Sequence, residues 1–466
     1  MNAPVTENSL KTLIKAYDVR GIVPDQLDEN LAYLIGQAFV EVLKLRKNDG
    51  GNNQVVIAHD MRPSGPSLVD AFARGVMKQG VDVILMGLSS TDGLYFASGF
   101  LNVAGAVFTA SHNPAEYNGI KLARPGARPV GQDSGLKEIT QMLLKGVKNY
   151  EGDQGTSQTR DLNQDYVKFV HSLVDVKNCR KLKVVIDAGN GMGGFIVPKV
   201  FEKSNFEIIP MYFELDGTFP NHEANPIEPK NLVDLQKRVL LEKADIGIAF
   251  DGDADRAFFI DELGQSITPS VITALIAKRE LAREKGSTII HNLITSRSVA
   301  EVVKENGGVA KKTRVGHSFI KEVMKETNAI FGGEHSGHFY FRDFWFADSG
   351  MLAALHVLAA LGETKAGTSF SSLLKEFDRY VASGEINTKV SNVSETTNKV
   401  KEYFSDKKDV QIDDLDGLTF STDQWWVNIR PSNTEPLLRL NAEAKERATM
   451  EKVRDEVLSI IRKDAK

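Results

Sequence analysis

The chain has 466 residues, which at a prior of about 150 per domain is room for roughly three domains, each with its own core. Apolar residues make up 42% and charged residues 26%, an ordinary globular composition that excludes a disordered or fibrous chain. A formal net charge of −5 gives no reason to expect nucleic acid or a membrane surface as a partner, so any charge-driven function must be local.

Short runs rich in Val, Ile and Phe alternate with longer amphipathic segments, the pattern of α/β layers. Strands are predicted at 54–58, 82–86, 105–109, 182–187, 206–212, 246–250, 288–291 and 329–331, and a helix at 65–79 with Gly80 as its stop. Self-similarity organises these runs. QVVIAHD is followed by AGAVFTA running into Ser111-His112-Asn113-Pro114, LKVVIDAGNG by ADIGIAF running into Asp251-Gly252-Asp253-Ala254-Asp255-Arg256, and STIIHNL by NAIF running into Gly332-Gly333-Glu334-His335-Ser336-Gly337-His338. Three diverged copies of one α/β unit explain this; the alternative is that any α/β protein ends its strands in polar loops. After Phe370 the character changes to a Lys- and Glu-rich helical stretch, a strand pair around QWWVNIRP and LLRLNAEA, and a closing helix from Arg447. The expected fold class is α/β, three related units with mixed sheets (1–154, 155–256 and 257–368) plus a smaller α+β C-terminal domain (369–466).

The single cysteine, Cys179, cannot form an internal disulfide or a thiolate metal cage, which fits a reducing compartment. The opening residues lack the basic, apolar, small-residue order of a secretory signal. The most continuous apolar stretch, 351–361, is too short for a bilayer and contains His356. A cytoplasmic protein is expected.

Asp251, Asp253 and Asp255 place three carboxylates at alternate positions just past a buried strand, an arrangement that is costly unless a hard cation gathers them. Oxygen-only ligands favour Mg²⁺ or Ca²⁺ over zinc. With Glu262 these aspartates fall at EF-hand positions, but Arg256 stands where that loop needs a glycine, and the flanks are strand-like. A solvated acidic turn is the competing reading. Arg256 tilts the balance toward Mg²⁺ with a phosphate ligand, since metal and guanidinium could share one anion.

Ser111 at a strand end, beside His112 and near Lys121, suits a nucleophile or phosphate carrier, although a Ser-His pair in a turn also serves as a cap. No G-x-S-x-G elbow surrounds it. Glu334, Ser336 and His338 offer an acceptor, a hydroxyl and an imidazole suited to polyol hydroxyls, or form a polar turn. Arg430-Pro431-Ser432-Asn433-Thr434-Glu435-Pro436 is a possible phosphate cradle between two strands, or a capped turn. Tyr17, Arg20 and Arg62 add a phenol and two guanidinium groups, the arginines being more often surface or structural residues. Gly189-Asn190-Gly191-Met192-Gly193-Gly194 satisfies G-x-G-x-x-G with acidic residues downstream, yet it sits mid-chain without a second dinucleotide motif and reads as a tight strand-to-helix turn.

Together, in this order, AYDVRG, TASHNPAEYNGIK, DGDADR, GGEHSGH and RPSNTEP resemble the α-D-phosphohexomutase superfamily, and within it the phosphomannomutase/phosphoglucomutase branch. The resemblance spans nearly the whole chain. It implies four domains around a central cleft, a Mg²⁺ cofactor, and reversible interconversion of hexose 6- and 1-phosphates through a hexose 1,6-bisphosphate, with mannose ahead of glucose as the sugar. By position, Ser111 would be stored as phosphoserine and bind Mg²⁺ with Asp251, Asp253 and Asp255. Arg256, His112 and Lys121 would neutralise the transferring group, and Glu334 and Ser336 would grip sugar hydroxyls. Arg430, Ser432, Asn433 and Thr434 would hold the other phosphate. Arg20, His317 or Tyr17 would assist proton transfer. The resemblance implies a monomer or homodimer whose partner is a small-molecule hexose phosphate, with no nucleic acid and no membrane. Three departures bear on the sugar: His335 stands where the dual-specificity branch commonly has methionine, 292–297 lacks a lysine and offers Arg297, and Ala254 replaces the glycine of the phosphoglucosamine branch. A catalytically silent sugar-phosphate binder and a dinucleotide oxidoreductase are the competing function classes.

Overall fold

The computed structural model describes residues 5–148, 150–431 and 437–463, without the side chains of His317 and Ser318. Its first sheet comprises β1 (Val19–Ile22), β2 (Gln54–His59), β3 (Asp82–Leu88), β4 (Ala104–Phe108), β5 (Tyr117–Arg124), β6 (Arg128–Pro129) and β7 (Ser157–Thr159). They lie in the order β1-β5-β4-β2-β3-β7, with β6 on β5. β2 pairs parallel with both β3 and β4, whereas β5 runs antiparallel to β4 and β1. The central β4 is buried along its whole length, which is why its sequence is an unbroken small and apolar run rather than an alternation.

The second sheet repeats this plan. β8 (Lys183–Asp187), β9 (Glu207–Met211), β10 (Ile246–Phe250), β11 (Ala257–Asp261) and β12 (Ser266–Ile267) are ordered β12-β11-β10-β8-β9. β8 pairs parallel with β9 and β10, and β11 returns antiparallel along β10. In the third unit, β13 (Thr288–Asn292) again pairs parallel with the next two strands, β14 (Val309–Thr313) and β15 (Phe331–Gly333). The chain then continues into a short antiparallel pair, β16 (Phe339–Phe341) and β17 (Ala347–Asp348). Each unit thus runs from a first strand through a neighbour to a second neighbour that ends in one of the polar loops.

The C-terminal domain is an antiparallel sheet of β18 (Val381–Ala382), β19 (Ile386–Lys389), β20 (Gln411–Asp413), β21 (Leu418–Ser421), β22 (Trp425–Pro431) and β23 (Leu437–Ala444). Its core joins Val400 and Phe404 of one helix, Val453 and Val457 of the closing helix, and Phe420, Val427 and Leu440 of the sheet. The architecture is therefore three α/β domains plus an antiparallel C-terminal domain. The first sheet runs on to Thr159 and the second to Ile267, past the expected boundaries at 154 and 256, and a cut after Arg256 would divide the β10–β11 hairpin.

The chain forms two compact bodies, Met1–Thr268 with Ser336–Leu373, and Pro269–His335 with Leu374–Lys466. In the first, helices Glu29–Leu43 and Gly65–Lys78 pack at glycines: a methyl on Gly75 would lie 2.1 Å from the Tyr33 carbonyl oxygen. No helix among the described residues is long and apolar enough to cross a membrane.

Candidate active site

The loop from β4 to β5 holds Ser111 at φ 49°, a left-handed conformation whose cost for a non-glycine residue is about 1–3 kcal/mol. Arg62, with its side chain fully enclosed, holds it there. Its Nη1 donates to the carbonyls of Pro114 (2.7 Å) and Tyr117 (2.8 Å). Its Nη2 donates to those of Ser111 (2.9 Å) and Asn113 (2.7 Å), and Nε to Asp60 Oδ2 (3.3 Å). One guanidinium thus collects four carbonyls of a single loop, with the Phe219 ring 5.2 Å from its carbon. The Pro114 carbonyl also accepts from the Tyr117 amide (3.1 Å), but a buried loop that lost the guanidinium would lose a donor at all four.

The β10–β11 hairpin meets this loop through backbone. A Cβ on Gly252 would lie 2.3 Å from the Ser111 carbonyl oxygen, so only glycine fits. Asp251 Oδ2 accepts from Ser111 Oγ (2.9 Å) and from Arg256 Nε (2.9 Å), and its Oδ1 accepts from the Arg256 amide (3.1 Å). Lys121, on β5, donates to Asp253 Oδ2 and Asp255 Oδ2 at 2.7 Å each. The remaining Oδ1 atoms of Asp253 and Asp255 are buried with no hydrogen-bond partner. The three carboxylates offer oxygens within 4.8 Å of one another. Two orphaned carboxylate oxygens beside a third carboxylate and a hydroxyl are a donor set that fits a hard divalent cation.

The charges are strongly coupled to their surroundings. Burial pushes Asp251 up to about 8 against the pull of Arg256. Burial also acts to raise Asp253, but Lys121 overrides it and holds that carboxyl well below the usual range. Burial, reinforced by Arg256, pulls His112 down to about 2, so its ring is neutral. Its Nδ1, 2.5 Å from the Arg256 Nη2 donor and 3.1 Å from Ser111 Oγ, is an acceptor here. The hydroxyl of Ser111 faces two proton acceptors, Asp251 and His112, with a guanidinium alongside.

Four family models cover the chain in order: phosphoglucomutase/phosphomannomutase α/β/α domain I at residues 11–149, domain II at 164–264, domain III at 268–380 and the C-terminal domain at 385–460. The phosphomannomutase of Escherichia coli K12 is 38% identical over 444 residues, 93% of this chain and 95% of its own. The chain belongs to the phosphoglucomutase/phosphomannomutase family. It is a phosphohexomutase, an intramolecular phosphotransferase. The phosphohexose mutases of Xanthomonas campestris pv. campestris match at 38% over 447 residues, 96% of this chain and 98% of theirs. A solved phosphoglucomutase/phosphomannomutase family protein of Burkholderia thailandensis is 31% identical, with a TM-score of 0.86 over 97% of this chain and 98% of its own.

Other expected site residues of this phosphohexomutase fall as follows. Arg20, on β1, donates to Asn113 Oδ1 (2.6 Å) and Asp18 Oδ2 (2.5 Å), which ties it to the serine loop; Tyr17 lies just before β1. His338 comes to the aspartate loop: it bridges Arg256 through the backbone, and its Nε2 is 3.6 Å from Asp255 Oδ1 and 3.8 Å from Asp348 Oδ2. Its Nδ1 is 3.0 Å from Ser336 Oγ. In the second body, buried Glu334 accepts from the Gly316 amide (3.1 Å), and Arg430 pairs with Glu385 (2.9 Å). Arg297 is engaged with the C-terminal domain, its Nη2 donating to the Trp425 carbonyl (3.2 Å) and its amide to Glu443 Oε1 (3.1 Å). His317 opens helix His317–Thr327, but its side chain, like Ser432, Asn433 and Thr434 altogether, lies outside the described residues. Ala254, at φ 59°, occupies a left-handed position that glycine would adopt without strain.

The glycine-rich loop after β8 has its amides occupied. Gly189 donates to Asp187 Oδ1, Asn190 to the Tyr212 carbonyl, Gly191 to Ala188 and Met192 to Gly252. A dinucleotide phosphate would find few free N–H groups there; the loop instead supports the aspartate hairpin, and a Cβ on Gly191 would lie 2.6 Å from the Gly252 oxygen. His222 fastens the following segment, with Nε2 2.9 Å from Asp187 Oδ2 and Nδ1 2.8 Å from the Glu223 carbonyl.

Arg62 is the residue that sequence reasoning undervalued, since nothing local to HDMRPS marks an arginine as enclosed. Replacing it by methionine removes the guanidinium from Asp60 and from four carbonyls, and should cost about 3–5 kcal/mol of unfolding free energy by chemical denaturation; a loss below about 1 kcal/mol would contradict the clamp. For His222, burial lowers the pKa but Asp187 outweighs it, leaving the folded value raised. Its stabilisation is fully present below the unfolded value of about 6.5 and is lost as pH rises through the raised folded value. The melting-temperature gap between the natural protein and His222→Gln should therefore be wider at acidic than at alkaline pH, and a gap independent of pH would refute the ion pair.

Proposed function

We propose that this phosphohexomutase is a Mg²⁺-dependent phosphomannomutase, interconverting mannose 6-phosphate and mannose 1-phosphate through phosphoserine at Ser111 and a hexose 1,6-bisphosphate. The observation that carries this reading is the meeting of Ser111 Oγ with Asp251 at 2.9 Å beside two carboxylates whose free oxygens need a cation.

Asp251, Asp253 and Asp255 would hold the metal together with an oxygen of the Ser111 group. When bound, Mg²⁺ supplies charge neutralisation and orientation for the transferring phosphoryl oxygens. The chain does the rest. A phosphoserine carries about −1.5 to −2 charges, and Arg256, whose Nη2 lies 3.4 Å from Ser111 Oγ, is poised to receive them. Lys121 offsets the aspartates from behind. In the forward step the phosphorus–oxygen bond to Ser111 breaks as one to a sugar hydroxyl forms; the hydroxyl proton passes to Tyr17 or His317, helped by the positive charge of Arg20, and the freed serine oxygen takes a proton from Asp251. The bisphosphate turns over and its other phosphoryl group is taken by Ser111; the serine proton returns to Asp251, and the freed sugar oxygen takes back a proton from the group that served as base in the first step. Glu334, Ser336 and His338 would hold the sugar, and Arg430, Ser432, Asn433 and Thr434 the idle phosphate. Because that cradle must accept either end of the molecule, it recognises phosphate while the sugar loop recognises hydroxyls.

A dual mannose and glucose specificity is the second reading, favoured by equal identity to the E. coli phosphomannomutase and the Xanthomonas phosphohexose mutases. Purified protein given Mg²⁺ and a hexose 1,6-bisphosphate should turn over mannose 1-phosphate faster than glucose 1-phosphate, with phosphate recovered on the Ser111 peptide by mass spectrometry. Equal rates would favour the second reading, and turnover without phosphate on Ser111 would overturn the carrier role.

A further inference from the structure

The helix Thr91–Leu101 begins next to the aspartate hairpin, and its first two residues reach three other parts of the first body, Asp253, Tyr166 and Ser349. Ser90, the N-cap, accepts from the Gly93 amide (3.2 Å) and donates to Asp92 Oδ1 (2.5 Å). Thr91, fully buried, donates twice to Asp253 across 162 residues of sequence: its Oγ1 to the carboxylate Oδ2 at 2.6 Å, and its amide to the backbone carbonyl at 3.0 Å. Asp92 Oδ2 accepts from Tyr166 Oη (2.7 Å) and Ser349 Oγ (2.6 Å).

Those contacts close a ring around the hairpin. Ser349 caps helix Gly350–Gly362, whose first residue lies so close to the other side of the loop that a Cβ there would sit 2.8 Å from the Arg256 carbonyl carbon and 2.9 Å from the Ala254 oxygen. The loop is thus gripped from two sides by helix starts that are joined through the Asp92–Ser349 hydrogen bond.

We propose that Thr91 is the positioning residue that aims Asp253 at the cation, an inference that rests on the aspartate loop being the metal site. The two lone-pair directions of Oδ2 are taken by Thr91 and Lys121, and Oδ1 is left free. With the hydroxyl gone, Lys121 alone cannot fix the rotation of the carboxylate, because it is shared with Asp255 and sits on a flexible stem. Partners that orient a metal ligand are worth about 10–100-fold in affinity or activity. Thr91 makes no use of the sugar or of the serine, so its loss should weaken metal binding and lower kcat while KM for the hexose phosphate stays the same.

The test uses the full chain with Mn²⁺ as the probe, read by isothermal titration calorimetry, and kcat and KM measured in parallel. Thr91→Val, similar in shape but without a hydroxyl, should bind Mn²⁺ about 10–100-fold more weakly, and Thr91→Ser should restore most of the affinity. Thr91→Ala removes the same hydroxyl without added bulk and takes the same test if the valine is not accommodated. Unchanged Mn²⁺ affinity in the valine or alanine protein overturns the proposal, as does a serine protein no better than the valine one. Asp253→Asn, run alongside, separates the two readings: if it keeps full Mn²⁺ affinity, the metal-loop reading itself fails, whereas if it loses Mn²⁺ and Thr91→Val does not, only the role of Thr91 fails.

Discussion

Three carboxylates enclosed within five consecutive residues, directly against a serine hydroxyl, are the constraint on which the rest of this structure depends. Like charges at about 4 Å repel by about 4 kcal/mol per pair at an effective dielectric near 20, and burial adds a desolvation penalty for each. Lys121 and Arg256 pair with these carboxyls and burial raises Asp251 to about 8, yet a deficit remains, two buried oxygens without a hydrogen-bond partner. The molecule has been built to hold that deficit in place rather than relieve it, which is what a cation site and a phosphoryl acceptor require.

The fold provides this by bringing two copies of one unit together at the same structural position. β4 and β10 are equivalent central strands, each entered from a parallel neighbour and left through an antiparallel one, and the serine and aspartate loops are the equivalent turns between them. Where they meet, backbone faces backbone, so Gly252 and Gly191 leave space that any side chain would fill. The left-handed conformation of Ser111 is strained, and Arg62 holds it by gathering the carbonyls of its loop. Strain at Ser111 is thereby opposed by hydrogen bonds on the carbonyl side of its loop, while its hydroxyl faces Asp251.

Much of this was legible in the sequence because it follows from periodicity. Buried central strands produce unbroken apolar runs, and seven of the eight predicted strands overlap β2, β3, β4, β8, β9, β10 and β13 nearly end to end. The eighth, 329–331, overlaps β15 only at Phe331, because Gly332 and Gly333 carry the strand although glycine is a poor strand former, while buried Ala329 and Ile330 precede it. The aspartate hairpin was legible from charge alone, since alternate carboxylates after a buried strand have few uses. Arg62 was not: an arginine's partners here are backbone carbonyls, which every sequence has. The glycine-rich loop shows the converse, a pattern that fits a phosphate cradle while its amides are bonded to its own chain. His338 was picked out as a sugar-loop residue, but not its approach to Asp255, which depends on a backbone bridge to Arg256 between segments far apart in sequence.

Charge compensation at the serine is the centre of this account, and a crystal soaked in Mn²⁺ tests it most directly. The anomalous difference map should show one strong peak bounded by Asp251, Asp253, Asp255 and the oxygen of Ser111. A principal peak elsewhere, or three carboxylates left without a metal at saturating Mn²⁺, would contradict it.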